Sequence, residues 1–153
     1  VLVEKPFALT LADAQALVDA AAARDRVLMV SQNYRFFPAA WAARERVAEG
    51  ALGGVGSVYL DFRVDMAARL PAGHPYFALQ DPLLLDMAVH HFDLMRFVLG
   101  EAAAVGCATW NPPGSPFLHA PVANATVRLT SGARVAYRGS WLGAPPTLWS
   151  GLW

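Results

Sequence analysis

Ser57-Val58-Tyr59-Leu60-Asp61-Phe62-Arg63-Val64-Asp65-Met66 alternates in period two, with Val58, Leu60, Phe62, Val64 and Met66 on one face and Ser57, Tyr59, Asp61, Arg63 and Asp65 on the other. Such alternation marks a strand with one face on a core and the other toward water. Working outward, a loop rich in Pro and Gly from Ala67 to Asp81 leads to a mostly apolar helix from Leu83 to Leu99, stopped by Gly100. Ala102 to Trp110 reads as a strand. Val122 to Thr130 and Ala133 to Trp141 alternate again, joined by Ser131-Gly132 as a two-residue hairpin connection. On the upstream side, Pro38 opens a helix that runs to Glu49, with Gly50 as its stop and a turn at Gly53-Gly54 before the first strand. The pattern predicts an antiparallel sheet with one helix inserted after its first strand.

The opening of the chain has a different rhythm. Val1-Leu2-Val3 is a short strand halted by Pro6, and Thr10-x-x-Asp13 is a capping box before a helix from Leu11 to Arg24. Val27 to Val30 is a second short strand, so the unit is strand, helix, strand, the order of a βαβ crossover. A lone unit of this kind leaves its sheet edges unpaired, and the chain starts inside a strand without an initiator Met, so the sequence is expected to be a piece of a longer protein.

The 153 residues carry 12 Lys+Arg against 12 Asp+Glu and are 56% hydrophobic and 16% charged. Zero net charge argues against a nucleic-acid or membrane-surface binder, and the apolar content argues against disorder. A single cysteine, Cys107, cannot form an internal disulfide, and no secretory leader is visible, so a cytoplasmic setting is expected. The charge-free stretch from Ala102 to Val127 contains four prolines and does not read as a transmembrane helix.

Asp86, His90 and Asp93 lie at i, i+4 and i+7 on the helix from Leu83 to Leu99, on one narrow stripe of an otherwise apolar surface. Charged and imidazole groups in such a place need a polar network, a ligand or a cavity to face. Spacing alone is equally compatible with a satisfied core network. Lys5, the only lysine in the chain, follows a strand end, where α/β units place their ligands, although a solvated lysine reads the same. Asn33-Tyr34-Arg35-Phe36 follows the next strand and offers an amide, a phenol and a guanidinium, suited to a polyhydroxylated ligand or simply to a polar turn. His91 reads as a packed helix histidine, and His74 and His119 sit in loops without a visible partner.

Val3-Glu4-Lys5-Pro6 after one strand, Asn33-Tyr34-Arg35-Phe36 after the next, and Asp86-x-x-x-His90-x-x-Asp93 on a later helix together resemble the Gfo/Idh/MocA oxidoreductases, the family of glucose-fructose oxidoreductase and inositol dehydrogenase. The resemblance implies an α/β (α+β) protein: residues 1–32 would be the remnant of an NAD- or NADP-binding Rossmann domain. Residues 33–153 would be a truncated substrate and oligomerisation domain with a mainly antiparallel open sheet and packed helices. It implies Lys5, Asp86 and His90 as catalytic residues, with Glu4, Lys5 and Pro6 at the cofactor. Tyr34, Arg35, Asp86 and His90 would lie at the substrate, a sugar, cyclitol or related polyol. It also implies homo-oligomers formed through the sheet, and no resident metal.

The chemistry suits those residue types. Removing hydride from a secondary alcohol requires the hydroxyl proton to leave too; a histidine can take it while an ammonium steadies the developing charge on oxygen. Asp86 could orient the imidazole or hold a neighbouring hydroxyl. The sequence departs from the family pattern at Gln80-Asp81-Pro82, where a glycine-rich approach is usual, and at Ala88, where glycine is frequent. The phosphate-binding glycine loop is absent, so the chain alone is expected to bind dinucleotide poorly and to be inactive. Two rivals stand beside this reading. One is a non-catalytic assembly module in which the sheet face of Val58, Leu60 and Phe62, with the hairpin, makes a homomeric interface; the other is a metal-dependent hydrolase with Asp86, His90 and Asp93 as ligands, for which no fourth ligand motif stands near.

Overall fold

The computed structural model describes residues 1–143. The opening βαβ unit forms as expected: β1 (Leu2–Val3) pairs in parallel with β2 (Met29–Val30), and α1 (Leu11–Ala22) crosses between them. Thr10 caps α1 reciprocally. Its Oγ1 accepts the Asp13 N–H at 3.1 Å and donates to Asp13 Oδ2 at 2.7 Å. The helix ends two residues short of the expected Arg24, and none of its residues is buried. The peptide bond between Lys5 and Pro6 is cis.

A 3-10 turn over Asn33–Phe36 leads into α2 (Pro38–Ala48), with Pro38 at the first helical position. The second unit is a four-stranded sheet built from β3 (Ser57–Arg63), β4 (Ala102–Trp110), β5 (Val122–Leu129) and β6 (Arg134–Ser140), in the spatial order β3-β6-β5-β4. The three later strands are an antiparallel meander, as expected. The first is not: β3 lies parallel to β6, with Phe62 opposite Gly139. The segment after β3 crosses the sheet to its far edge, and the meander returns strand by strand until β6, pointing the same way as β3, closes against it. The sheet is therefore mixed, though mainly antiparallel.

The hairpin between β5 and β6 also differs from expectation. Leu129 N–H bonds Ala133 O at 2.9 Å and Gly132 N–H bonds Leu129 O at 3.0 Å, so three residues, not two, make the turn. Gly132 sits at φ 92°, the left-handed position of a type I turn closed by a bulge.

Alternation along β3 holds: Phe62 and Val64 are buried while Ser57, Tyr59 and Arg63 are exposed. Their core contains Leu83, Ala88, Ala125, Tyr137 and Trp141. Burying a Leu or Phe side chain of this kind contributes about 1.5–3 kcal/mol. A second cluster, Met95 with Val127, Leu129 and Val135, seats α3 (Val89–Leu99) on β5 and β6. β4 lies beyond the helix, at the sheet edge, and is exposed along its whole length. No helix among the described residues is long and apolar enough to cross a membrane.

The expected single helix from Leu83 to Leu99 is two pieces. Leu83–Ala88 is a π-helical turn, and only Val89–Leu99 is α-helical. Wider turns of this type are rare and cluster at functional sites.

Candidate active site

Lys5 and Tyr34 follow β1 and β2, and parallel pairing brings both strand ends to one side of the small sheet. The π-turn from the second unit meets them there. The Lys5 Nζ donates to the Asp86 backbone carbonyl at 2.8 Å and also to Asp86 Oδ1, closing a contact across 81 residues. A helix carbonyl has a second lone pair to give such a donor. The other carboxylate oxygen, Asp86 Oδ2, accepts the Tyr76 hydroxyl at 2.6 Å. Both sides of the Lys5–Asp86 pair are partly buried, at 23% and 34% side-chain exposure, so water weakens but does not abolish their attraction.

His90 is buried, and Tyr34 stacks on its ring at 4.5 Å between centroids and 14° between planes. Its Nδ1 is buried without a hydrogen-bond partner. Burial and then the Lys5 charge push the His90 pKa below its ordinary value, against the opposing pull of Asp86, Asp93 and Glu4. The imidazole is therefore neutral at pH 7 and able to take a proton. Burial, and then the Asp86 charge, raise the Tyr34 hydroxyl above its usual range.

Three of the sequence-derived residues, Lys5, Asp86 and His90, thus come together with Tyr34 beside them. Both Asp86 carboxylate oxygens are taken by Lys5 and Tyr76, so the orientation of the His90 ring comes from Tyr34 stacking and burial. Arg35 faces Asp93. Its Nε and Nη2 make two bonds of 2.6 Å to the two carboxylate oxygens, and its guanidinium lies over the Phe97 ring. This fork ties the Asn33–Phe36 turn to α3 and so holds Tyr34 against His90. Of the ligands a metal-hydrolase reading would need, Asp86 and Asp93 are each hydrogen-bonded to a protein cation. Glu4 is exposed, next to Lys5.

His91 is a core residue, 1% exposed, with Nδ1 3.2 Å from the Tyr137 hydroxyl. Burial, and then His90, push it down to about 4, so it stays neutral in the core. His74, without a partner in the sequence reading, caps the 3-10 turn Pro75–Ala78 by accepting the Tyr76 N–H at 3.2 Å. Sequence reasoning missed Tyr76 because the loop containing it showed no periodicity. It also gave no role to Gln32, whose amide oxygen is buried and unpaired just after β2. Asp81 stands at φ 41°, a left-handed conformation that glycine adopts freely, at the entrance to the π-turn.

The GFO/IDH/MocA C-terminal domain model matches residues 40–149. The chain belongs to the Gfo/Idh/MocA oxidoreductase family. Among curated Gfo/Idh/MocA-like relatives, D-apiose dehydrogenase of Paraburkholderia graminis is 36% identical over 107 residues, 69% of this chain and 28% of that protein. Levoglucosan dehydrogenase of Pseudarthrobacter phenanthrenivorans is 32% identical over 118 residues, 73% of this chain and 30% of its own length. The chain therefore spans less than a third of these relatives. An oxidoreductase from Agrobacterium radiobacter, solved with NAD+, L-tartaric acid and magnesium, superposes with a TM-score of 0.85 at 27% identity, over 95% of this chain and 42% of that one.

Proposed function

We propose that the protein containing this chain oxidises a secondary alcohol of a sugar, cyclitol or related polyol at the expense of NAD or NADP. The observation that carries this reading is the meeting of Lys5, Asp86 and a neutral His90. The names of the relatives, dehydrogenases of apiose and levoglucosan, support the substrate class. The site also fits the cofactor: Glu4, Lys5 and Pro6 follow a parallel strand, where α/β folds bind dinucleotides. When bound, the nicotinamide ring supplies a hydride acceptor.

His90 accepts the proton from the substrate's hydroxyl oxygen. The Lys5 ammonium stabilises negative charge on that oxygen, and Asp86 holds Lys5 in place. Tyr34 walls the substrate side of His90, and Arg35 keeps Tyr34 there through Asp93. Residues 1–32 would close a dinucleotide-binding domain, and residues 33–153 would belong to the substrate domain. The face of Val58, Leu60 and Phe62 is turned onto the core, so self-association into homo-oligomers would use the opposite face of the sheet, where Tyr59 is 74% exposed.

The test is turnover by the intact protein on a panel of sugars, cyclitols and anhydrosugars, followed by absorbance of the reduced cofactor. Oxidation that depends on NAD or NADP is expected. No turnover and no dinucleotide binding across the panel would overturn the reading in favour of a non-catalytic assembly module.

A further inference from the structure

Both oxygens of the Asp86 carboxylate are occupied, and only one of them by a residue the family pattern marks. Lys5 holds Oδ1; the Tyr76 hydroxyl donates to Oδ2 at 2.6 Å. A carboxylate held at one oxygen can still turn about its own bond, whereas one held at both is fixed in plane and direction.

Tyr76 is itself rigidly delivered. The Pro75–Ala78 turn is capped by His74, and Phe77 is buried, with its carbonyl accepting the Leu118 N–H at 2.8 Å. The Tyr76 ring lies edge-on to Phe117 and Trp141, at 6.3 Å and 6.2 Å between centroids. Burial, then the hydrogen bond to Asp86 and its charge, raise the Tyr76 pKa far above the usual phenol range. The hydroxyl therefore keeps its proton and acts as a permanent donor rather than as an acid or base.

We propose that Tyr76 is a positioning residue of this site: by holding Asp86 Oδ2 while Lys5 holds Oδ1, it fixes the carboxylate and through it the Lys5 ammonium beside His90. The proposal rests on the hydride-transfer reading above. It adds a residue from the loop after β3 to a site otherwise built from two strand ends and one helix. The titratable and charged groups around Asp86 are Lys5 after β1, Tyr34 in the Asn33–Phe36 turn, Tyr76, and His90 on α3.

The test is Tyr76→Phe in the intact protein, which removes the hydroxyl and keeps the ring in its apolar seat. Losing a charge-assisted hydrogen bond of this type corresponds to a fall in kcat of about 10- to 100-fold. The KM for the dinucleotide should be unchanged. A purely structural tyrosine would lower the melting temperature and leave kcat, measured well below that temperature, at the wild-type value. Wild-type kcat in Tyr76→Phe, with Lys5→Ala inactive in the same assay, would overturn the positioning role alone. A wild-type protein without any nicotinamide-dependent turnover would overturn the hydride-transfer reading, and this proposal with it.

Discussion

At the residue scale, a histidine surrounded by three carboxylates would ordinarily be expected to hold its proton more firmly than in water. His90 does the reverse, because burial and the Lys5 ammonium outweigh Asp86, Asp93 and Glu4. A base whose pKa is lowered is ready at neutral pH and lost only in acid. Activity should therefore be constant above about pH 6.5, the ordinary histidine value, and fall on the acid side as the His90 ring takes up a proton. A kcat/KM profile of the intact protein checks this, and His90→Gln should abolish the histidine-dependent limb along with most of the turnover. His90→Ala and Lys5→Ala should each reduce kcat by about 100-fold or more while the protein stays folded. Near-normal rates in both variants would remove these two residues from the chemistry.

At the scale of elements, the π-turn over Leu83–Ala88 determines how the polar stripe is shared out. An α-helix would stack Asp86 over His90; here Asp86 reaches Lys5 and Tyr76, while His90 sits against Tyr34. This turn is wedged over the sheet at Gly139 of β6, the partner of Phe62 on β3 and of Ala123 on β5. A methyl group on Gly139 would run into the Tyr137 hydroxyl and come within 2.8 Å of Leu83 Cδ2. Leu83 is fully buried and Tyr137 is 1% exposed, so neither has room to retreat. Gly139→Ala should cost about 1–3 kcal/mol of stability, measured by urea denaturation. An unchanged midpoint would mean that this contact relaxes freely and does not seat the turn.

At the scale of the whole molecule, the two units differ in how well they bury themselves. The four-stranded sheet has a core on one face, whereas the βαβ unit leaves Val1, Leu2, Leu11, Leu17, Val18, Val27 and Met29 exposed. Apolar surface of that kind is a docking face for other protein. The chain by itself should bind a hydrophobic fluorescent dye, and Leu17→Glu with Val18→Lys should reduce the signal. Dye fluorescence at the level of an ordinary globular protein would show that this face needs no cover. Such cover is what a dinucleotide-binding domain made mostly of other residues would supply.

The sequence by itself determined what depends on local order. Period two along Ser57 to Met66, the Thr10 capping box and the glycine stops are read from neighbours a few residues apart; the cap and the stops appear where expected, and the alternation appears as β3, which ends at Arg63 instead of Met66. The candidate site was legible as residue types after strand ends and on a helix, but each read equally well as structural, and only their combined resemblance to the family grouped them. Long-range pairing was not legible. The parallel match of β3 with β6 and the fork from Arg35 to Asp93 each join segments that no periodicity connects, and the π-turn departs from the α-helical spacing read for Leu83 to Leu99. Tyr76 was invisible for the same reason: a tyrosine in an aperiodic loop acquires its role only when packing against Phe117 and Trp141 brings its hydroxyl to Asp86. Only the tertiary structure decided these contacts, because their energy comes from burial and geometry assembled across the whole chain.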